Sequence, residues 1–180
     1  MRRCVFLDRD GVLNRAIVRE GLPYPPANLD EFQLVPGASE ACAALKAAGF
    51  LLVVVTNQPD VARGSQKRET VESLNNALAS QVAVDDVRVC YHDAPDACQC
   101  RKPRPGLLLD AARDWHIDLA ASYMIGDRWK DIEAGAQAGC TTVFIDWGYS
   151  EKQPAAPDVR VSSLAEGVHW LLARERARGL

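Results

Sequence analysis

Two groups of side chains in this sequence have the types and the spacing that reactive chemistry uses. The first is Asp8-Arg9-Asp10-Gly11, which follows the apolar run Cys4 to Leu7. In extended backbone, residues two apart point to the same side, so the two carboxylates face one point. Gly11 lets the chain turn sharply just beyond them. Such a pair suits general acid–base work, and as an isolated pattern it also suits a polar turn. The second group is Cys90-x-His92-x5-Cys98-x-Cys100, three thiols and one imidazole in a single loop. This is a donor set for tetrahedral zinc, with redox-sensitive thiols as the alternative, and four protein ligands would make the ion structural. The spacing is not that of nucleic-acid-binding fingers, whose ligand pairs flank a recognition helix.

The elements that must position these groups follow from short apolar runs bounded by polar residues or glycine. Five strands are expected: Cys4 to Leu7, Phe50 to Val55, Val87 to Cys90, Ser122 to Ile125 and Thr141 to Ile145. Each run is continuous and not alternating, the pattern of strands buried on both faces of a parallel sheet. Helices are expected over Ala38 to Ala48, stopped by Gly49, from about Lys67 to Val82, over Gly106 to Trp115, and over Lys130 to Ala138, stopped by Gly139. A last helix, capped by Ser162 or Ser163, would run to about Arg176. The alternation implies a doubly wound α/β fold with a mostly parallel sheet. Ligands bind such sheets outside the carboxyl ends of the strands. That rule selects Asp8, Asp10, Thr56, Asn57, the loop from Cys90 to Lys102, and Asp127.

Four blocks carry these positions: Phe6-Leu7-Asp8-Arg9-Asp10-Gly11-Val12-Leu13-Asn14, Val53-Val54-Val55-Thr56-Asn57-Gln58, Arg101-Lys102-Pro103-Arg104-Pro105-Gly106 and Ile125-Gly126-Asp127-Arg128-Trp129-Lys130-Asp131. In this order, each at a strand end, they resemble the four signatures of the haloacid dehalogenase (HAD) superfamily of phosphohydrolases. The resemblance implies one HAD-like (Rossmannoid) domain over residues 1–180, with a zinc loop inserted at about 90–101. The short gaps between blocks leave no room for a cap domain. It further implies that Asp8 attacks phosphorus to form an aspartyl-phosphate, while Asp10 protonates the leaving oxygen and then activates water. Facing a phosphate dianion, two carboxylates need a hard cation, for which Mg²⁺ is the natural choice. By resemblance its ligands are Asp8, Asp127 and the backbone carbonyl of Asp10. Thr56 and Asn57 would meet the phosphoryl oxygens, Lys102 would supply fixed positive charge, and Asp131 would order Lys102 or a metal-bound water, or equally be a first-turn helix carboxylate favoured by the dipole.

The segment from Cys90 to Pro103 is similar to the zinc loop of a HAD branch that acts on small sugar and amino-alcohol phosphates. That likeness implies D-glycero-D-manno-heptose 1,7-bisphosphate, cleaved at the 7-phosphate, with histidinol phosphate or another small phosphomonoester as the alternative. Zinc would then pin the loop that holds Lys102, and Arg101 could reach a second anionic or polar group. The stretch Thr56-Asn57-Gln58-Pro59-Asp60, the short spacing from His92 to Cys98 and the Pro-rich Leu22 to Pro26 depart from the branch pattern. A rival of another class is a zinc-organised binding module without catalysis. The joint presence of Asp8, Asp10, Thr56, Lys102 and Asp127 argues against it.

Composition bounds the remaining possibilities. The 21 Lys and Arg against 24 Asp and Glu give a net charge of -3, the wrong sign for binding nucleic acid through counterion release. The longest apolar stretch, Phe50 to Val55, is far too short to span a membrane. The N-terminal apolar run meets an Asp too soon to be a signal peptide, so a cytoplasmic protein is expected, and a small capless domain is expected to be a monomer. Leu22 to Pro26 reads as a stiff surface loop, and Cys4, Cys42 and Cys140 read as core residues. His116 and His169 read as structural or surface groups. Trp129, Trp147 and Tyr149 lie at strand ends and could line the site.

Overall fold

A computed structural model describes residues 1–179 of the chain. Six parallel strands form its central sheet: β1 (Cys4–Leu7), β4 (Leu51–Asn57), β5 (Asp86–Cys90), β6 (Tyr123–Gly126), β7 (Thr141–Ile145) and β8 (Val159–Val161), in the order β5-β4-β1-β6-β7-β8. A separate antiparallel hairpin joins β2 (Ile17–Arg19) to β3 (Leu22–Tyr24). Among the described residues, five α-helices accompany the strands: α1 (Ala38–Ala47), α2 (Arg68–Ala79), α3 (Gly106–Trp115), α4 (Trp129–Ala138) and α5 (Leu164–Ala177).

Both faces of the sheet are covered, which explains the continuous apolar runs. Along β1, Val5 and Leu7 enter one core with α1 and α5, while Cys4 and Phe6 enter the other with α3 and α4. The strand β4 divides in the same way, with Leu52 and Val54 on one side and Leu51, Val53 and Val55 on the other. The period of two is present, but both phases are apolar. Cys4, Cys42 and Cys140 are buried in these cores, and His116 is exposed at the C-cap of α3.

The chain begins in the middle of the sheet, at β1, then builds outward through β4 and β5 before crossing to β6. The two directions of winding part beside β1, and there the carboxyl ends of neighbouring strands diverge into a crevice. The site described below lies in it.

Two expectations need correction. Leu22 to Pro26 is only partly loop, because Leu22, Pro23 and Tyr24 pair with Arg19, Val18 and Ile17. The turn between them has Glu20 and Gly21 at φ 50° and 77°, the conformation a tight two-residue hairpin requires. Glu-Gly is a weak signal for that turn and Pro23 counts against a strand, so the hairpin was hidden. The sixth strand, β8, was also missed, since Val-Arg-Val is a short edge strand with its middle residue in solvent. The remaining element ends move by only a few residues, and Ser163 is the N-cap of α5, its side chain accepting from the Glu166 amide.

At the amino end of the sheet, Glu175 on α5 is 4% exposed. It accepts from the Tyr123 hydroxyl at 2.6 Å and pairs with Arg3, whose guanidinium lies over the Phe50 ring. Replacing Glu175 by Ala would leave a buried hydroxyl and a partly buried cation without their acceptor. Glu175→Ala is expected to lower unfolding stability by about 2–3 kcal/mol, read from the urea midpoint, and to leave the KM for any substrate unchanged because the reaction end of the sheet is remote.

Candidate active site

The carboxyl end of β1 delivers Asp8 into the crevice, held there by its amide on the Ile125 carbonyl at 3.0 Å. Beyond it the chain folds back on itself. The Arg9 carbonyl accepts from the amides of Leu13 and Asn14, and the Gly11 amide donates to the Asn14 carbonyl. Gly11 sits at φ +86°, and a Cβ there would lie 1.8 Å from Asp127 Oδ2. Glycine is therefore needed twice, for the backbone angle and for the approach of Asp127.

Asp10 is fixed by four donors. Arg9 Nε and Nη2 reach its carboxylate at 3.2 and 3.1 Å, Asn14 Nδ2 at 3.0 Å and Gln58 Nε2 at 2.8 Å. Arg9 is fully buried and is tied to α2 through Asn75 Oδ1 at 2.7 Å. Gln58 also donates to Thr56 Oγ1 at 2.9 Å, which links the end of β4 to Asp10. Sequence reading passed over Arg9 and Gln58, although both flank residues it selected.

Lys102 is 2% exposed, yet its ammonium is fully engaged. It contacts Asp8 Oδ1 at 2.9 Å, Asp131 Oδ1 at 2.6 Å and the Val55 carbonyl at 2.7 Å. Burial opposes its charge, but Asp131 and Asp8 more than compensate and hold the ammonium well above the usual lysine range. The backbone of Lys102 is clamped by Asn57, whose Nδ2 donates to the Lys102 carbonyl and whose Oδ1 accepts from the Lys102 amide. The side-chain amide of Asn57 thus positions Lys102, while Thr56 and Asn57 both line the cavity.

Three buried carboxylates, Asp8, Asp127 and Asp131, lie close enough to share one cation. Lys102 supplies one positive charge to the group, so negative charge remains in excess. Burial, then Asp131, pushes Asp8 up to about 7 despite Lys102. Burial, then Asp8 and Asp131, raises Asp127 well above the ordinary carboxylate range. Both Asp127 oxygens are buried without a hydrogen-bond partner among the described residues. Asp131, by contrast, uses one oxygen on Lys102 and the other on the Arg128 amide at the start of α4. A hard divalent cation between Asp8 and Asp127 fits this donor set.

The second cluster adjoins the first through the loop that ends at Lys102. Cys90 Sγ lies 3.1 Å from Cys100 and 3.7 Å from Cys98, and His92 Nδ1 lies 3.3 Å from Cys100 and 3.7 Å from Cys90. None of these cysteines is in a disulfide. Four soft donors facing one point fit a tetrahedral zinc, which binds the thiolate form. Arg104 supports the loop from below by donating to the Cys98 carbonyl at 2.6 Å.

A cavity of about 210 Å³ opens over Asp8 and Asp10. Leu22, Pro23, Tyr24 and Pro25 of the hairpin form one wall, Pro59, Asp60 and Arg63 another. Arg101, Lys102, Arg128 and Lys130 give it a basic lining that the net charge of the chain conceals. Burial, then Arg128 and Arg101, depresses the Lys130 ammonium. Trp129 and Trp147 stand outside this cavity. The ammonium groups of Lys130 and Lys152 lie over the Trp129 ring, at 5.5 and 4.1 Å from its centroid, and Trp147 donates to the Gly11 carbonyl at 2.8 Å beside a separate apolar hollow. Tyr149 is next to Asp127 behind the cavity, where burial and then that carboxylate push its hydroxyl above the usual range. The expectation that these aromatic residues line the site is therefore replaced by supporting roles: Trp147 and Tyr149 lie beside Gly11 after β7, and Trp129, at the start of α4, has its ring under Lys130 and Lys152.

Comparison with known proteins agrees with this geometry. The family described as HAD-hydrolase-like matches residues 99–168. A D-glycero-beta-D-manno-heptose-1,7-bisphosphate 7-phosphatase of Yersinia pestis is 38% identical over 177 residues, covering 90% of this chain and 91% of that protein. The protein of the same name from Escherichia coli strain K12 is 39% identical over 177 residues, covering 90% of each. Among solved structures, a D,D-heptose 1.7-bisphosphate phosphatase from B. bronchiseptica, complexed with magnesium and phosphate, superposes with a TM-score of 0.78 at 32% identity, covering 96% of this chain and 99% of that one. No helix among the described residues is long and apolar enough to cross a membrane. With the acid pair, the buried lysine and the parallel sheet all in place, the chain belongs to the HAD-like family of phosphatases.

Proposed function

We propose that the protein is a Mg²⁺-dependent phosphatase that removes the 7-phosphate of D-glycero-D-manno-heptose 1,7-bisphosphate. The observation that carries the chemistry is the buried set of Asp8, Lys102, Asp127 and Asp131 beside a fixed Asp10. The substrate rests on the relatives that match over nearly the whole chain. Their extent favours heptose bisphosphate over histidinol phosphate and over a non-catalytic zinc module.

Asp8 is the nucleophile. Its carboxylate oxygen attacks phosphorus while the bond from phosphorus to the sugar oxygen breaks, leaving an aspartyl-phosphate. Asp10 gives its proton to the departing sugar oxygen, and its four hydrogen bonds keep it beside Asp8 but off the phosphorus. In the second half, Asp10 takes a proton from water, the water oxygen bonds to phosphorus, and the bond to Asp8 breaks to release phosphate. Lys102 and Thr56 stabilise charge on the phosphoryl oxygens, with Asn57 holding Lys102 in place. Asp8, Asp127 and the Asp10 carbonyl would hold Mg²⁺, which neutralises charge between the carboxylates and the phosphate when bound.

Cys90, His92, Cys98 and Cys100 would hold a structural zinc that fixes the loop bearing Arg101 and Lys102. The whole chain acts as one catalytic domain in this reading, with a small phosphorylated sugar as its partner.

Phosphate release should require Mg²⁺ and be strongest with the heptose bisphosphate in a panel of sugar bisphosphates, sugar monophosphates, histidinol phosphate and nucleotides. Asp8→Asn should reduce kcat by about 10³-fold or more, and release above that background by nothing in the panel would refute the hydrolase. Elemental analysis of the purified protein should find about one zinc per chain. Cys100→Ser should lose that zinc and raise KM more than it lowers kcat, whereas a zinc-free wild type with full Mg²⁺-dependent activity would exclude a zinc role.

A further inference from the structure

Five cationic side chains line the catalytic cavity, and four of them already face carboxylates. Arg63 is held by both oxygens of Asp93, at 2.6 and 2.9 Å, and reaches Asp60 at 3.1 Å. Arg101 shares the same Asp93 at 3.4 Å and donates to the His92 carbonyl at 3.2 Å. Lys102 stands between Asp8 and Asp131, and Arg128 is forked onto Glu151, with Nε at 2.9 Å. Lys130 alone has no carboxylate at ion-pair distance among the described residues.

The charges around the cavity therefore cancel in groups. Asp60 and Asp93 neutralise Arg63 and Arg101, Glu151 neutralises Arg128, and Arg9 neutralises Asp10. A divalent cation with Lys102 balances Asp8, Asp127 and Asp131. What remains is the half-buried ammonium of Lys130, whose one aromatic contact is the Trp129 ring at 5.5 Å. It occupies the first turn of α4, where the helix dipole opposes a cation. A partly desolvated charge placed against the dipole and without a counterion is costly, and an anion beside it removes the cost.

We infer that Lys130 binds the second, non-reacting phosphate of a bisphosphate substrate and gives the cavity its preference for bisphosphate over monophosphate. Arg101, the residue the sequence suggests for that contact, is already neutralised by Asp93 and adds shape more than net charge. The inference rests on the phosphatase reading above and names the group that selects its substrate.

The test compares kcat/KM for D-glycero-D-manno-heptose 1,7-bisphosphate and for the matching 7-phosphate monoester. Wild type should favour the bisphosphate. In Lys130→Gln the ratio of the two values should fall at least tenfold, with the loss in KM for the bisphosphate, and Lys130→Arg should restore most of it. Raising ionic strength should weaken bisphosphate binding in wild type and have less effect in Lys130→Gln. A ratio unchanged in Lys130→Gln overturns the inference. A wild type that cleaves both substrates equally also overturns it while leaving the hydrolase chemistry intact, and release from neither overturns both.

Discussion

The site depends on one buried ammonium. Lys102 sits among Asp8, Asp131 and the Val55 carbonyl with almost no solvent contact. A lysine in such a place is tolerated because each of its protons has an acceptor and two carboxylates attract its charge. Those carboxylates need Lys102 in turn, since three acids at the mouth of a parallel sheet repel one another. The arrangement is stable only as a set. Its residual negative charge is what suits it to a hard cation and then to a phosphoryl group.

The rest of the molecule can be read as the means of delivering this set. Asp8 and Asp127 come from the ends of adjacent central strands, and Asp131 comes from the first turn of α4. Lys102 comes from a loop with no regular structure, so it needs other restraints. Asn57 grips its backbone from β4, and the Cys and His donors gather the preceding residues into a tight knot. A loop so short could not build its own hydrophobic core, and a metal tetrahedron is the compact substitute.

Much of this was legible from residue order alone. The central strands were readable because a sheet buried on both faces must be continuously apolar, and the acid residues fall where those runs stop. Asp131 is placed near Lys102 only through the resemblance of its block, since by position alone it equally suits a first-turn helix carboxylate. The hairpin and β8 were not readable, since each consists of three-residue strands whose pairing is set by the surrounding chain. Arg9 was overlooked because alternation points it away from the acids, whereas its length lets the guanidinium curl back onto Asp10. The pairing of Arg63 with Asp93 joins residues 30 apart and has no local signal.

The anchor formed by Glu175, Tyr123 and Arg3 lies at the amino end of the sheet, and the reacting groups lie at the carboxyl end. Stability and specificity are thereby assigned to different ends of the same strands. Substitutions in the hairpin or in the Pro59 to Gln66 loop can change what the cavity accepts without loosening the foundation. Such a scaffold can diverge toward new phosphorylated metabolites through drift in its rim while its folding determinants stay under separate selection.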